Sequence, residues 1–232
     1  MSVFLIGGGW SDERVGDMFG GFVAAAATRA EGRDPRVLMV LLGTDDEALE
    51  YHERYVRALG LVGGHELVVE RIADGDTFDA SRLDEVDALL VGGGDTPEYH
   101  RALSPSYDVI RERVTAGMPY AGFSAGAAIA ATTAIIGGWR IDGVPVCPED
   151  SDEGLDPVTV VDGIGLVGGA VDVHAVQWGN LSRLVAAVEA GAVGHGQAID
   201  ECTCLAPGGV VTGAGRAWRV SPAPDGVVVS ST

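Results

Sequence analysis

The chain has 232 residues, enough for one large domain or two small ones with a sizeable buried core. Its formal net charge is −19 and all 15 basic residues are arginine, so a phosphate backbone would be repelled and nucleic-acid binding is disfavoured. Apolar residues make up 47%, yet no run reaches the roughly eighteen residues of a membrane span, and three cysteines (Cys147, Cys202, Cys204) are too few for a disulfide framework.

Residues 2–6 read as a first strand ending in Gly7-Gly8-Gly9; the start shows no basic leader, so a cytoplasmic location with reduced cysteines is expected. A small-residue helix follows around Met18 to Arg29. Arg36 to Leu42 is a continuous apolar run, as in a strand buried on both faces. Asp45 to Leu59 has helical spacing, Glu66 to Ile72 reads as a strand, and Val86 to Val91 as a fourth strand ending in Gly92-Gly93-Gly94. Tyr107 to Ala116 is the next helix, followed by a strand, a turn and an alanine-rich helix around Ser124. This alternation predicts an α/β fold with a doubly wound, mostly parallel sheet and helices on both faces. Loops at the carboxyl ends of the strands (Gly7–Gly9, Gly43, Gly92–Gly94 and Ser124) should share one rim. Beyond the elbow, Gly137 to Pro157 reads as a lid or active-site loop. A glycine-spaced strand over Gly169–His174, a helix over Asn180–Ala190 and a closing hairpin over Val210 to Val220 complete the chain. No domain boundary is visible, so residues 1–232 are read as one domain.

Chemistry points first to Gly122-Phe123-Ser124-Ala125-Gly126. A serine on a strand–turn–helix elbow stands at the positive end of the helix and suits a nucleophile; a turn that merely packs a helix on a sheet is the competing reading. A serine nucleophile needs a base. Of the five histidines, His174 lies in an apolar strand with Asp172 two residues earlier on the same face, although a core histidine beside a carboxylate fits equally well. The glycines of Gly92–Gly94 free N–H groups, and Gly94 with Ala125 could form an oxyanion hole; a phosphate cradle is disfavoured because no lysine follows. Neither a metal nor an organic cofactor is called for, since Cys202-x-Cys204 is no standard zinc spacing.

Taken together, these blocks resemble the serine peptidases of the dipeptidase E and cyanophycinase family, nearer the cyanophycinase branch. The resemblance runs through Gly7-Gly8-Gly9, Gly92-Gly93-Gly94-Asp95, Gly122 to Ala128, Gly163-Ile164-Gly165-Leu166, Val171 to His174, Arg183-Leu184 and Ala198 to Glu201, in the family's order. It implies a class I glutamine-amidotransferase-like sheet with serine in place of cysteine, a Ser124–His174 pair, and an acid within Trp139–Asp142. Asp142 is the only carboxylate there, with Glu149 and Asp150 as fallbacks. Asp95, Thr96, Asp172, Gln177, Trp178 and Arg183 are assigned to substrate binding, and the family's habit is a homodimer.

The resemblance has departures. Val173, Ala175, Trp178 and Asn180 replace the glutamine, phenylalanine and arginines that cyanophycinases carry around the histidine. Fewer cations weaken the clamping of substrate carboxylates, which argues against cyanophycin and against strict Asp-X dipeptides. Asp95, Glu98, Asp172, Asp200 and Glu201 offer a carboxylate excess suited to a substrate's free amino group. The expected activity is a serine exopeptidase acting on short peptides; the alternatives are a cyanophycinase-type hydrolase of β-aspartyl peptides and an inactive small-molecule or peptide binder of the same fold.

Overall fold

The computed structural model describes residues 1–44 and 46–232. Strands β1 (Val3–Ile6), β2 (Arg36–Leu42), β3 (Glu66–Ile72), β4 (Ala88–Val91) and β5 (Tyr120–Phe123) run parallel in the order β3-β2-β4-β5-β1. Apart from the edge strand β3 they are short apolar runs, because both faces of the sheet are covered. Alternation on β2 divides the core. Val37, Met39 and Leu41 pack with α1 (Val15–Arg29) and α2 (Asp46–Gly60) on one face. Leu38 and Val40 pack with α3 (Thr96–Leu103) and α4 (Tyr107–Thr115) on the other. Phe19 and Phe22 of α1 are fully buried, and burying one such ring contributes about 1.5–3 kcal/mol. The expected start of the second helix, Asp45, lies outside the described residues.

The elbow helix α5 (Ala125–Ala128) is a single turn, not the longer alanine-rich helix expected. The chain re-enters a strand at Ala131, where Thr132, Thr133, Ile135 and Ile136 favour extended backbone. That strand, β6 (Ala131–Gly137), belongs to a second sheet. After it come the small hairpin β7 (Arg140–Ile141) and β8 (Val144–Pro145), then β9 (Thr159–Asp162), β10 (Val167–Val173), α6 (Asn180–Glu189) and β11 (Gly196–Ile199). β12 (Thr203–Ala206) and β13 (Val210–Gly213) return to the first sheet, antiparallel beside β1. β14 (Ala217–Ala223) and β15 (Gly226–Ser231) close the second, whose order is β15-β14-β11-β10-β6-β9.

The α/β class with largely parallel strands holds, but the sheet is divided in two. The C-terminal hairpin is β14–β15, not Val210 to Val220, because β13 and β14 pair in different sheets. α6 covers the second sheet through Leu184, Ala187 and Val188. Parallel pairing of β10 with β11 sets Val173 opposite Ile199, so the residues that follow each strand emerge side by side. All three cysteines are free, and Cys202 lies in the turn before β12. No described helix is long and apolar enough to cross a membrane.

Candidate active site

Ser124 follows β5 with φ 50° and ψ −110°, in the left-handed region that a non-glycine residue rarely adopts. The flanking glycines make that turn possible. A Cβ on Gly122 would overlap the Gly126 carbonyl, and one on Gly126 would overlap the Val91 carbonyl. The pentad is therefore a steric requirement of the elbow's close approach to β4, not only a composition effect.

Ser124 Oγ stands 2.9 Å from His174 Nε2, and His174 Nδ1 stands 2.7 Å from Glu201 Oε1. A carboxylate only accepts, so Nδ1 carries the proton and Nε2 is left to accept from the serine. His174 is buried, which lowers its pKa from the ordinary value; the Glu201 hydrogen bond and charge pull the other way without overcoming burial. The imidazole is accordingly neutral near pH 7. Trp178 lies flat on it, with ring centroids 3.9 Å apart and planes 8° from parallel.

The Gly7–Gly9 run makes room for this arrangement. A Cβ on Gly7 would overlap the Asp200 carbonyl, one on Gly8 the His174 ring, and one on Gly9 the Glu201 side chain. Glu201 is further held by Gln177, whose Oε1 accepts from its backbone N–H at 3.0 Å.

Opposite Ser124 lies the loop after β4. Gly93 N–H donates to the Tyr55 hydroxyl at 3.2 Å, and Gly126 N–H donates to Gly92 O at 3.1 Å, which fixes the loop against the elbow. The N–H groups of Gly94 and of Ala125, the first residue of α5, have no acceptor among the described residues. Asp95 caps α3, accepting from Glu98 N at 2.7 Å. Gly9, Gly43, Gly93, Gly94 and Ser124 line one cavity of about 760 Å³.

Several expected site residues sit elsewhere. Asp142 is exposed in the turn of the β7–β8 hairpin and makes no hydrogen bond to His174; Glu201 occupies that place. The cause is topological: the β10–β11 pairing delivers residues 200–201 beside His174, whereas the 138–158 segment folds back on itself through Gly138 N–Asp152 O and Val158 N–Arg140 O. Glu149 and Asp150 are exposed, and only Asp150 reaches the cavity wall.

Asp172 and Arg183 do not face the cavity. They form a buried two-pronged ion pair at 2.8 and 2.9 Å, and Arg183 also donates to the carbonyls of Gly138 and Ser151. Burial disfavours the guanidinium's charge, but Asp172 outweighs it and raises the pKa. Thr96 is buried and donates to Glu153 Oε1 at 3.1 Å. Asp200 is also buried, accepting from Arg216 N and Trp218 Nε1. Of the residues assigned to substrate binding, Asp95 and Trp178 line the cavity.

Sequence reasoning missed Glu201 as the partner of His174, although it ends the Ala198–Glu201 block; its position after an apolar strand was the available signal. It also missed Trp10, Tyr55 and Phe123, which face the serine from the α1/α2 side, and Glu153.

Residues 44–183 match the model of peptidase family S51. The chain belongs to that family of serine peptidases. The matched stretch holds Ser124 and His174 and stops before Glu201. The chain is similar in fold to a peptidase from an acI-B1 actinobacterium, with a TM-score of 0.71 and 17% identity, covering 100% of this chain and 96% of that one. It is also similar to a putative peptidase E protein from Listeria monocytogenes EGD-e, with a TM-score of 0.53 and 17% identity, covering 100% and 98%. No curated protein matches the chain in sequence. The S51 chain shows no group of three or more His, Cys, Asp or Glu side chains placed to hold a metal among the described residues.

Proposed function

We propose that this S51 member is a serine exopeptidase that hydrolyses short peptides through an acyl-enzyme, with Ser124, His174 and Glu201 as its catalytic relay. The observation that carries this reading is the continuous chain Ser124 Oγ–His174 Nε2–His174 Nδ1–Glu201 Oε1, with spacings of 2.9 and 2.7 Å. Ser124 Oγ attacks the peptide carbonyl carbon while His174 Nε2 takes the hydroxyl proton. The oxyanion develops against the free N–H groups of Gly94 and Ala125. As the C–N bond breaks, His174 returns the proton to the leaving amine. Water then attacks the ester carbonyl as His174 Nε2 takes one of its protons, and His174 gives that proton to Oγ as the C–Oγ bond breaks, releasing the carboxylic acid and restoring the serine hydroxyl. Glu201 holds the tautomer and balances the imidazolium.

Short unbranched peptides are favoured over a β-aspartyl polymer because Arg183, the cation retained near the histidine, is consumed by Asp172. The intact relay argues against a binder with a relic elbow. The test is labelling by a fluorophosphonate together with primary-amine release from a peptide panel, comparing native protein with Ser124→Ala. Labelling and turnover confined to the native protein are expected. A native protein that neither labels nor turns over any peptide would leave the binder.

A further inference from the structure

The cavity in front of Ser124 has two chemically opposite walls. On one side Trp10, Tyr55 and Phe123 meet edge to face or tilted, with ring centroids 5.4 to 6.0 Å apart, flanked by Leu41 and Tyr51. This wall is part of the catalytic frame: Phe123 directly precedes the serine, and the Tyr55 hydroxyl pins Gly93 beside the oxyanion loop. On the other side stand Asp95, Asp150, Asp152 and Glu153. Burial first, then the charge of Asp95, raises the Glu153 pKa, against the lowering effect of its Thr96 hydrogen bond. Glu98 also lines the cavity, but it is taken up by Arg101.

The single arginine lining the cavity among the described residues is Arg54, which is bound to Glu50 at 2.6 Å and lies over the Tyr51 ring. A carboxylate on the side chain of the first residue would therefore enter an acidic part of the cavity without a free cation to receive it, and its desolvation would go uncompensated. An ammonium group finds the reverse. Tyr55 and Phe123 are buried behind Trp10, so an apolar side chain on the acylating residue meets chiefly half-buried Trp10 and exposed Tyr51 at the face of this wall.

Resting on the serine-peptidase reading above, we propose that the substrates are short peptides with an unblocked N-terminus and a large apolar first residue. That side chain packs on the Trp10–Tyr55–Phe123 wall, its ammonium is received by Asp95 and Glu153, and cleavage follows the first residue. Full burial of a Leu or Phe side chain corresponds to about 10- to 150-fold in kcat/KM.

The experiment measures kcat/KM for Phe-Ala, Leu-Ala, Asp-Ala, Arg-Ala and N-acetyl-Phe-Ala, with Ser124→Ala as blank. Calorimetric binding of Phe-Ala and Asp-Ala to folded Ser124→Ala runs alongside. Phe-Ala and Leu-Ala should exceed Asp-Ala at least about 10-fold, and acetylation should cost a similar factor. Glu153→Gln should raise KM for Phe-Ala by a larger factor than KM for N-acetyl-Phe-Ala, and equal factors for the two would overturn the ammonium assignment. Asp-Ala as the best substrate would overturn the proposal and leave the serine peptidase standing. Arg-Ala as the best would overturn it too, by giving the carboxylates to a side chain. If nothing is hydrolysed, tighter binding of Phe-Ala than of Asp-Ala by Ser124→Ala would uphold the pocket and sink the peptidase reading. Equal or absent binding would sink both.

Discussion

Exchange of Glu201 for glutamine removes one charge from the relay while keeping the side chain's shape. The bond it replaces, 2.7 Å from His174 Nδ1, is charge-assisted, and hydrogen bonds to charged groups contribute about 1.5–3 kcal/mol. If that stabilisation is made to the imidazolium of the transition state, kcat/KM falls about 10- to 150-fold. A glutamine amide can also donate to Nδ1, leaving the proton on Nε2 where the serine needs an acceptor; tautomer reversal of that kind costs about 10⁴-fold in a Ser-His-Asp triad. The expected loss thus lies between about 10- and 10⁴-fold. A second readout has a fixed sign. Burial holds the His174 pKa below its ordinary value while Glu201 raises it, so removing Glu201 drives the pKa lower still. The acid limb of kcat/KM should move to lower pH while the plateau falls. Asp142→Asn is the control: an exposed hairpin side chain should change activity less than about 2-fold. The assay is initial-rate peptide hydrolysis across the acid limb for native protein and both variants. An Asp142→Asn loss as large as that of Glu201→Gln would refute the assignment.

Three further outcomes follow from the packing. Gly122→Ala forces a Cβ into the Gly126 carbonyl and should cost about 1–3 kcal/mol, lowering Tm by about 2–12 °C in calorimetry; Gly16→Ala, in exposed helix with open space around it, should instead raise Tm by up to about 4 °C. Asp172→Asn strands the buried Arg183 charge and should cost about 3–5 kcal/mol in urea unfolding, with KM for peptides little changed. A KM rise at unchanged stability would return Asp172 to the substrate site. Trp178→Ala admits water to the His174 ring, easing the burial that depresses its pKa, so the acid limb should move up toward pH 6.5 while Trp178→Phe holds it in place; an unmoved limb in Trp178→Ala would count against the stacking role.

Local chemistry was legible in the sequence, and long-range pairing was not. The β2 and β3 bounds, Arg36–Leu42 and Glu66–Ile72, agree with the structure because each is a bounded apolar or β-branched run. Ser124 was legible because its two glycines announce a backbone no other residue accommodates. Asp142 is the acid that the family resemblance implies, yet His174 receives its carboxylate from across a parallel strand pair, and the Val173–Ile199 register leaves no local trace. The same limit hid the aromatic wall, since Trp10, Tyr55 and Phe123 come from three separate segments. Asp172 and Arg183 are expected to bind substrate but pair with each other below the surface; whether such residues meet a ligand or each other depends on burial, which composition does not reveal.

Strain and support converge on one segment. Ser124, His174 and Cys202, which follows Glu201, all hold positive φ near 50°, each at a cost of about 1–3 kcal/mol. Their N–H groups donate to three consecutive carbonyls: Ser124 to Ile6, His174 to Gly7 and Cys202 to Gly8. The extension of β1 is thus a spine that takes one hydrogen bond from each arm of the relay, and its side-chain-free residues leave the volume that Asp200, His174 and Glu201 fill. A glycine run after a first strand invites a reading as an anion cradle, with N–H groups turned to a ligand. Here its carbonyls do the holding and its missing Cβ atoms do the spacing. Because Ser124 follows a strand of the first sheet and His174 a strand of the second, the 2.9 Å gap between Oγ and Nε2 depends on this shared spine fixing one sheet against the other.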